Sequence, residues 1–233
     1  MVKKVELSVK SDIHNYPKPS VTVDLVVFTV KNDNLNVLLV KRKADLKREE
    51  WALPGGFVKL NESLENAARR ELKEETGVED VYFEQLYTFG DPDRDSRGRV
   101  ITIAYFSLID YTKIKLQSTN DVVDAKWFSM YSLPPLAFDH SKILNYALTR
   151  LRYKLEYTTV GFQLLPQKFT LTELQKLYEV ILDKKLDKRN FRKKIDSLKL
   201  VEPTKETKME GIHRPAKLYK FKSKKFLLER DVV

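Results

Sequence analysis

The sequence contains no cysteine among its 233 residues. This absence excludes disulfide bonds, a catalytic thiol, zinc ribbons and iron–sulfur ligation. Long hydrophobic runs are lacking too: the N-terminal stretch MVKKVELSVKSDIHNYPKPS has no apolar signal-peptide core, and no segment is long enough to span a bilayer. We therefore expect a soluble cytoplasmic protein with no membrane partner.

Positive charge is present in excess but is unevenly distributed. The chain carries a formal net charge of +10, and positions 150–233 hold 22 of the 43 Lys and Arg residues but only 11 of the 33 Asp and Glu residues. The remaining residues therefore carry a net charge of −1. Such asymmetry is typical of a basic module that binds a polyanion, joined to a neutral module with another task.

The N-terminal part alternates strand and turn signals. Apolar, β-branched runs predict strands over 21–30 and 35–42, joined by the hairpin turn KNDN, with further strands in WALPGGFV, VITIAYFSLID and DVVDAKWFSM. Helical patterns follow over 63–76, with Ser63 suited to cap its start and Gly77 its end, and over 140–155. This mixture predicts an α/β or α+β domain over residues 1–155.

The pattern changes after position 155. A Thr170/Glu173 capping box opens a predicted helix over 170–182, and a basic helix follows over 187–198. Two short strands, KLVEPTK and AKLYKFK, come next. Helix, turn, basic helix and two-stranded hairpin is the order of a winged helix-turn-helix module. We therefore expect a small DNA-binding domain over residues 156–233.

Three carboxylates occupy a stretch of five residues within the first predicted helix. Glu71, Glu74 and Glu75 stand at i, i+3 and i+4, so they share one face. Carboxylate oxygens are preferred ligands of Mg²⁺, and the neighbouring Arg70 is suited to a bidentate pair with a carboxylate. A solvated acidic face is the plain alternative, and the glutamate spacing alone leaves both interpretations open.

The surrounding segment GGFVKLNESLENAARRELKEETGV resembles the Nudix box, G-x5-E-x7-R-E-U-x-E-E-x-G-U, where U is bulky and aliphatic. Its fixed positions are occupied by Gly56, Glu62, Arg70, Glu71, Leu72, Glu74, Glu75, Gly77 and Val78. The resemblance implies the Nudix fold, a mixed sheet sandwiched by helices. It also implies Mg²⁺- or Mn²⁺-dependent hydrolysis of a nucleoside diphosphate linked to another moiety. The implied metal site comprises Glu71, Glu74, Glu75 and Gly56, and the implied catalytic set comprises the three glutamates and Arg70.

A second segment, TFGDPDRDSRGRVITIAYF, resembles the ADP-ribose pyrophosphatases of that family. The candidate substrate-binding residues are Arg94, Asp95, Arg97 and Arg99, with Arg42 as a weaker candidate. Guanidinium groups suit a diphosphate, and Asp95 is placed to orient one of them. An ordinary charged hairpin loop is the alternative. Asp121 and Asp124 are candidates for the water-activating base or else turn residues, and His140 is expected to be structural.

The basic helix supplies the candidate DNA-binding residues. They are Lys188, Arg189, Asn190, Arg192, Lys193 and Lys194, together with Arg214 in the loop of the predicted wing. Asn and Arg side chains suit base edges, whereas lysines suit phosphates. A solvated helix face is the alternative; the local charge excess and the order of the elements favour DNA binding.

The order of the two parts also resembles a known arrangement. A Nudix domain followed by GFQLLPQKFTLTELQKLYEVILDKKLDKRNFRKKI resembles the Nudix-related transcriptional regulators. That resemblance implies a homodimer whose Nudix domain senses ADP-ribose or a related metabolite and whose winged helix binds operator DNA. Many such regulators have a damaged box, whereas this box is complete. We therefore expect a regulator that retains Mg²⁺-dependent hydrolysis. The alternative is a dedicated ADP-ribose-type pyrophosphatase whose C-terminal domain serves dimerisation.

Overall fold

The computed structural model describes residues 17–42, 50–79, 81–111, 122–209 and 215–222. The N-terminal part contains the strands β1 (Ser20–Lys31), β2 (Asn34–Arg42), β3 (Trp51–Ala52), β4 (Gly55–Phe57), β5 (Tyr82–Phe89), β6 (Val100–Leu108) and β7 (Val122–Ser129), and the helices α1 (Leu64–Thr76) and α2 (His140–Tyr157). The C-terminal part contains a 3-10 helix (Val160–Leu164), the helices α3 (Leu171–Leu182) and α4 (Lys188–Leu198), and the strands β8 (Val201–Lys208) and β9 (Ala216–Phe221).

The N-terminal strands form one mixed sheet of seven strands. Its main path runs β3-β2-β1-β6-β5, with β4 pairing with β1 and β7 pairing with β2. β1 and β6 run parallel, whereas the other paired strands are antiparallel. The parallel pair brings residues about 80 positions apart in sequence, such as Thr22 and Thr102, side by side. The predicted hairpin of β1 and β2 and the predicted α+β class are confirmed.

Helices cover both faces of this sheet. Successive side chains of a strand point to opposite faces, and along β1 Val23 and Leu25 pack in one cluster with Leu72 of α1. Val26 and Phe28 pack on the opposite face with residues of α2 and of the C-terminal part. Because both faces are covered, β1 reads as an almost unbroken apolar run. The predicted sandwich of a sheet between helices is confirmed.

Local capping signals predicted the ends of α1 correctly. The Oγ of Ser63 accepts a hydrogen bond from the backbone N–H of Asn66 at 3.2 Å. Gly77 adopts a left-handed conformation with φ 73°, and its N–H donates to the carbonyl of Lys73. Glycine suits this position because a side chain would be strained there. α2 extends two residues beyond the predicted end, to Tyr157. It therefore crosses the predicted domain boundary between residues 155 and 156. The division of the chain into two domains at that point stays a prediction.

The C-terminal part has the predicted order of a winged helix-turn-helix. Thr170 and Glu173 form both hydrogen bonds of the capping box at the start of α3, and Asp187 caps α4. β8 and β9 pair as an antiparallel hairpin. A bridge between Phe169 and Tyr219 ties the start of α3 to this hairpin.

The two parts share one hydrophobic core. A single cluster of buried side chains runs from Phe28 of β1 through Leu151 of α2 to Tyr178 of α3 and Ile195 of α4. Polar contacts reinforce this junction: the Tyr131 hydroxyl donates to the Val180 carbonyl at 2.9 Å, the Arg152 Nε donates to the Ile181 carbonyl at 2.8 Å, and Lys176 pairs with Asp33. The C-terminal helices are therefore packed against the sheet domain.

β5 was not predicted from the sequence. Its pattern YFEQLYTF is only partly buried, and its pairing with β6 is irregular between Gln85 and Tyr87, which breaks a regular alternation. No helix in the described part of the chain is long and apolar enough to cross a membrane.

Candidate functional site

Arg70 is the centre of the carboxylate cluster on α1. Its Nε and Nη2 form a bidentate pair with Glu62 at 2.9 and 2.6 Å. Its Nη1 donates to Glu71 at 2.7 Å and to Glu74 at 3.0 Å, and Nη2 also donates to the carbonyl of Phe57 at 3.2 Å. Arg70 therefore ties α1 to the loop that precedes it. The hydrogen bonds from Arg70 to Glu62, followed by one from the backbone N–H of Lys59, lower the pKa of the Glu62 carboxyl to about 2.

The glycine pair before α1 lies directly against the glutamates. The N–H of Gly55 donates to Glu75 Oε2 at 2.8 Å. A Cβ added at Gly56 would lie 2.4 Å from a Glu71 carboxylate oxygen, so no larger residue fits there without displacing Glu71. A Cβ at Gly55 would lie 2.2 Å from the Val23 carbonyl oxygen. The two glycines therefore allow the loop to approach both β1 and the carboxylates.

The Glu71 side chain is only 13% exposed, and burial raises its pKa above the ordinary value despite the adjacent Arg70. A carboxylate in this situation is stabilised by additional positive charge, because burial penalises its ionised form.

The structure does not bring the three glutamates to one point. Glu71 and Glu74 are held by Arg70, whereas Glu75 reaches across to Gly55. Among the described residues, no group of three or more His, Cys, Asp or Glu side chains is arranged to hold a metal ion. The donor set nevertheless fits a divalent cation, because carboxylate oxygens are the ligands that such ions prefer. The Glu71 carboxylate lies against Gly56, and the missing side chain at this glycine leaves room beside the carboxylate oxygens. The metal assignment of Glu71, Glu74, Glu75 and Gly56 stays a prediction.

Arg94 lies at the base of an adjacent cleft and is almost fully buried. Its guanidinium forms a bidentate pair with Asp139 at 2.7 and 3.1 Å and donates to Asp24 at 3.3 Å. A buried guanidinium needs such partners, because an unpaired charge there is costly. In this arrangement Arg94 braces the cleft, and its predicted contact with substrate stays a prediction.

Asp24 and Asp139 are two further residues of the site that the sequence did not indicate. Asp24 stands in the middle of the apolar run of β1, where a buried carboxylate requires a partner, and this was the available signal. Asp139 immediately precedes α2 and gave no distinct signal. Because Asp24, Arg94 and Asp139 are far apart in sequence, their grouping depends on the tertiary fold.

His140 has the structural role that was expected. Its ring is buried, and Nδ1 accepts a hydrogen bond from the Leu53 N–H at 2.9 Å. In the neutral ring the proton therefore lies on Nε2, which is 3.6 Å from an oxygen of Asp24. His140 thus fixes the segment that leads into the glycine pair.

Arg97 lies at the mouth of the cleft. Asp95 holds its guanidinium through a bidentate pair at 2.9 and 2.7 Å, and this pair lowers the pKa of the Asp95 carboxyl. The guanidinium carbon stands 4.8 Å from the ring centre of Phe138 and 5.8 Å from that of Phe57. The cleft is lined by Asp24, Gly55, Gly56, Phe57, Arg94, Asp95, Arg97, Phe138 and His140, among others.

The other nucleotide-site candidates are placed differently. Arg99 donates to the carbonyls of Gly90 and Asp91, so it closes its own loop. Arg42 ends β2, and its side chain lies outside the described part of the chain. Asp124 of β7 pairs with Lys126, and Asp121 lies outside the described residues. The roles predicted for these residues stay predictions.

α4 presents most of its predicted DNA-binding residues to solvent. Lys188, Arg189, Asn190 and Lys193 are exposed, and Lys194 is partly exposed. Arg192 is partly buried and directs its Nη2 towards the hydroxyl of Thr172 in α3, at 3.5 Å. Phe191 and Ile195 are buried and hold the helix in place, whereas Arg214 lies outside the described residues. The DNA contacts stay predictions.

Two family models match the chain. Residues 18–147 match the NUDIX domain, and residues 161–221 match the NrtR DNA-binding winged helix domain. Over 216 residues the chain is 40% identical to the ADPR responsive transcriptional repressor NtrR of Acinetobacter baylyi, covering 91% of this chain and 84% of that protein. The chain belongs to the Nudix-related transcriptional regulators.

Two further comparisons concern this Nudix regulator. The crystal structure of Shewanella oneidensis NrtR complexed with a 27mer DNA matches with a TM-score of 0.74 and 37% identity, covering 87% of this chain and 93% of that one. The ADP-ribose pyrophosphatase of Methanocaldococcus jannaschii is 41% identical over 130 residues, covering 56% of this chain and 73% of that enzyme. The regulator is thus similar both to a DNA-binding protein along most of its length and to an enzyme along its Nudix domain.

Proposed function

We propose that this Nudix regulator binds operator DNA through its winged helix and senses ADP-ribose or a related nucleoside diphosphate through its Nudix domain. One observation carries the proposal: the basic face of α4 is exposed on a module that shares its hydrophobic core with the Nudix sheet. An exposed basic helix on a winged module suits the major groove of DNA. A common core gives the two sites a physical connection.

The proposed ligand follows from the cleft and from the relatives. Arg97 places a positively charged guanidinium in the cleft that also contains the glycine pair. A guanidinium suits the negative charge of a diphosphate ligand. The repressor of Acinetobacter baylyi is described as ADPR responsive, and the enzyme of Methanocaldococcus jannaschii as an ADP-ribose pyrophosphatase. Together these support ADP-ribose as the first ligand to test.

We further propose that the Nudix domain retains Mg²⁺-dependent hydrolysis. Every fixed position of the Nudix box is occupied, and Glu71 and Glu75 lie against the glycine loop. The glutamates and Gly56 would hold a divalent cation, which would supply positive charge for the diphosphate. Arg70 holds Glu62, Glu71 and Glu74 in position, and the cleft residues orient the ligand.

DNA binding is tested by titrating the protein onto DNA from upstream of its own gene, at several salt concentrations. We expect specific binding that weakens as salt rises, because the lysines of α4 would release counterions from phosphates. A scrambled DNA of the same length is the control. Equal affinity for both DNAs contradicts a regulatory role.

Hydrolysis is tested by Mg²⁺-dependent release of AMP from ADP-ribose. Glu71→Gln and Glu75→Gln should each lower the rate by about 100-fold or more, as expected for a group that binds metal or activates water. Glu65→Gln is the matched control, because Glu65 lies on the same helix but pairs with the exposed Arg69. An absence of turnover in the parent protein contradicts the enzymatic part of the proposal and leaves a sensor.

A dedicated ADP-ribose-type pyrophosphatase is the second candidate, favoured by the complete Nudix box. In that case the winged module serves dimerisation, so AMP release is expected without any preference for operator DNA. Both candidates include a homodimer. Light scattering in solution should therefore give twice the chain mass of 27.3 kDa.

A further inference from the structure

Two buried polar atoms lie on the helices α3 and α4 of the winged module without a hydrogen bond. They are the hydroxyl of Tyr178 on α3 and the Nε of Arg192 on α4, and neither has a hydrogen-bond partner among the described residues. Buried polar groups in folded proteins are nearly always paired. Two such exceptions on one pair of helices indicate that their polar groups fit the observed packing poorly.

Tyr178 lies where several elements meet. Its side chain is fully buried in the common hydrophobic core. Its ring makes an edge contact with Phe191 of α4, with the ring centres 5.6 Å apart. The 3-10 helix also lies close, because a Cβ at Gly161 would be 3.9 Å from the Tyr178 ring and 2.7 Å from Leu155 of α2. A change in how α3 packs against α4 would therefore alter the surroundings of Tyr178.

The Tyr178 hydroxyl lowers the stability of the observed packing. Burial raises its pKa, so the group stays a neutral hydroxyl. A buried hydroxyl without a partner loses its hydrogen bonds to water and gains none in return. A phenylalanine would fill the same space without that loss. The hydroxyl therefore weakens the contact between α3 and α4, to which its ring contributes.

Arg192 is also weakly held. Within the described part of the chain its hydrogen bonding is limited to Nη2, which donates to the Thr172 hydroxyl at 3.5 Å, longer than an ordinary hydrogen bond. A guanidinium gains more from a charge-assisted bond to a phosphate. Phe191 and Ile195 supply the buried apolar anchor of α4. The helix therefore has an anchor on which it can turn and a polar contact with α3 that is easily given up.

We propose that the contact between α3 and α4 is metastable and that α4 turns on its apolar anchor when the winged module binds DNA. The turn moves Arg192 away from Thr172 and frees its guanidinium for a phosphate. Tyr178 acts as a positioning residue, because its unsatisfied hydroxyl disfavours the DNA-free packing and so lowers the free energy needed for the turn. A poor local fit is expected at a functional element. This inference rests on the proposed function, in which α4 binds operator DNA.

Tyr178→Phe tests the proposal, because it removes the hydroxyl and keeps the ring. Without DNA, its melting temperature should rise by about 2–4 °C, the shift expected when one unsatisfied buried group is removed from a protein of this size. Affinity for DNA from upstream of the gene should fall by about fivefold, since the variant favours the DNA-free packing. Tyr153→Phe removes the hydroxyl of an exposed tyrosine on α2 and should change neither quantity.

Tyr131→Phe provides a contrast at a hydroxyl that does have a partner. This hydroxyl donates to the Val180 carbonyl of α3, so its removal should lower the melting temperature rather than raise it. A melting temperature of Tyr178→Phe at or below that of the parent would show that the Tyr178 hydroxyl is satisfied in solution, and it would overturn the proposal.

The DNA measurement separates the positioning role from a merely structural one. If Tyr178→Phe melts at a higher temperature but binds DNA with the affinity of the parent, the contact between α3 and α4 is the same with and without DNA, and the proposed turn is wrong. If the parent itself binds upstream DNA no better than scrambled DNA, the proposed function fails, and the turn of α4 fails with it.

Discussion

Glu71 is a residue whose charge serves the proposed function at the expense of stability. Arg70 neutralises much of the acidic cluster, yet Glu71 is buried enough that its pKa is raised, so its ionised form is under-compensated. The ionised carboxylate therefore lowers the stability of the ligand-free protein, and a cation that binds beside it should offset this loss.

The pH dependence of stability follows from this shift. The folded protein binds the Glu71 proton more tightly than the unfolded chain does. Stability therefore falls as the pH rises through the ordinary glutamate range towards the raised pKa. At neutral pH without divalent cation, we expect Glu71→Gln to melt at a higher temperature than the parent. The difference should shrink as the pH falls below the ordinary glutamate pKa, where both side chains are neutral.

Thermal melts across pH test this directly, with the exposed Glu65→Gln as the control that should show no such gain. Added Mg²⁺ should then stabilise the parent more than Glu71→Gln, because the ligand binds the folded state. A Glu71→Gln protein that is less stable than the parent at pH 7 would contradict the electrostatic account of this cluster.

The sequence indicated that Arg70 is suited to pair with a nearby carboxylate, but it did not indicate the partners of Arg94. Glu62, Arg70 and Glu71 lie within ten positions, so the fixed spacing of one helix and its preceding loop places them together. Asp24 and Asp139 meet Arg94 only in the tertiary fold, and nothing local in the sequence could reveal that grouping.

Among the elements, α4 carries the DNA-binding prediction. Lys193 is exposed and Phe191 anchors the helix, so the polar face can change without disturbing the buried one. We expect Lys193→Ala to weaken binding to specific and scrambled DNA alike and to lower the slope of log K against log salt by about one. Asn190→Ala should instead reduce the preference for the specific sequence.

Salt-dependent fluorescence anisotropy with both DNAs measures these two effects separately. Lys126→Ala is the matched control, because this exposed lysine lies on β7 of the Nudix domain. A Lys193→Ala protein with an unchanged salt slope would argue against α4 lying along the phosphates.

Helices with capping residues next to them in sequence were predicted, whereas the strand β5, whose position depends on pairing with a distant strand, was not. Ser63 and Thr170 cap the starts of α1 and α3, and each cap involves a residue only three positions away. β5 has an irregular, partly exposed pattern, and its place beside β6 is determined by the sheet rather than by its own residues.

At the scale of the whole molecule, the shared core connects the two sites. α2 begins beside the cleft at Asp139 and His140, and further along the same helix Arg152 contacts α3. α2 therefore provides a continuous structural connection between the cleft and the winged module, and packed elements of this kind shift as units.

Contacts at the junction should control this coupling. We expect Tyr131→Phe and Arg152→Met, which remove hydrogen bonds to the α3 carbonyls, to reduce the effect of ADP-ribose on DNA affinity. Affinity for ADP-ribose measured without DNA should change little, since neither residue lines the cleft. Tyr153→Leu, an exposed change on the same helix, is the control. Undiminished coupling in both junction variants would show that the signal takes another route.

The proposed function requires that binding of a nucleoside diphosphate is coupled to binding of DNA within one chain. The most direct measurement is the dissociation constant for DNA from upstream of its gene, with and without saturating ADP-ribose, at fixed salt. We expect the dissociation constant to change by about fivefold or more, the usual lower range of allosteric coupling. An identical dissociation constant with and without ADP-ribose would contradict it.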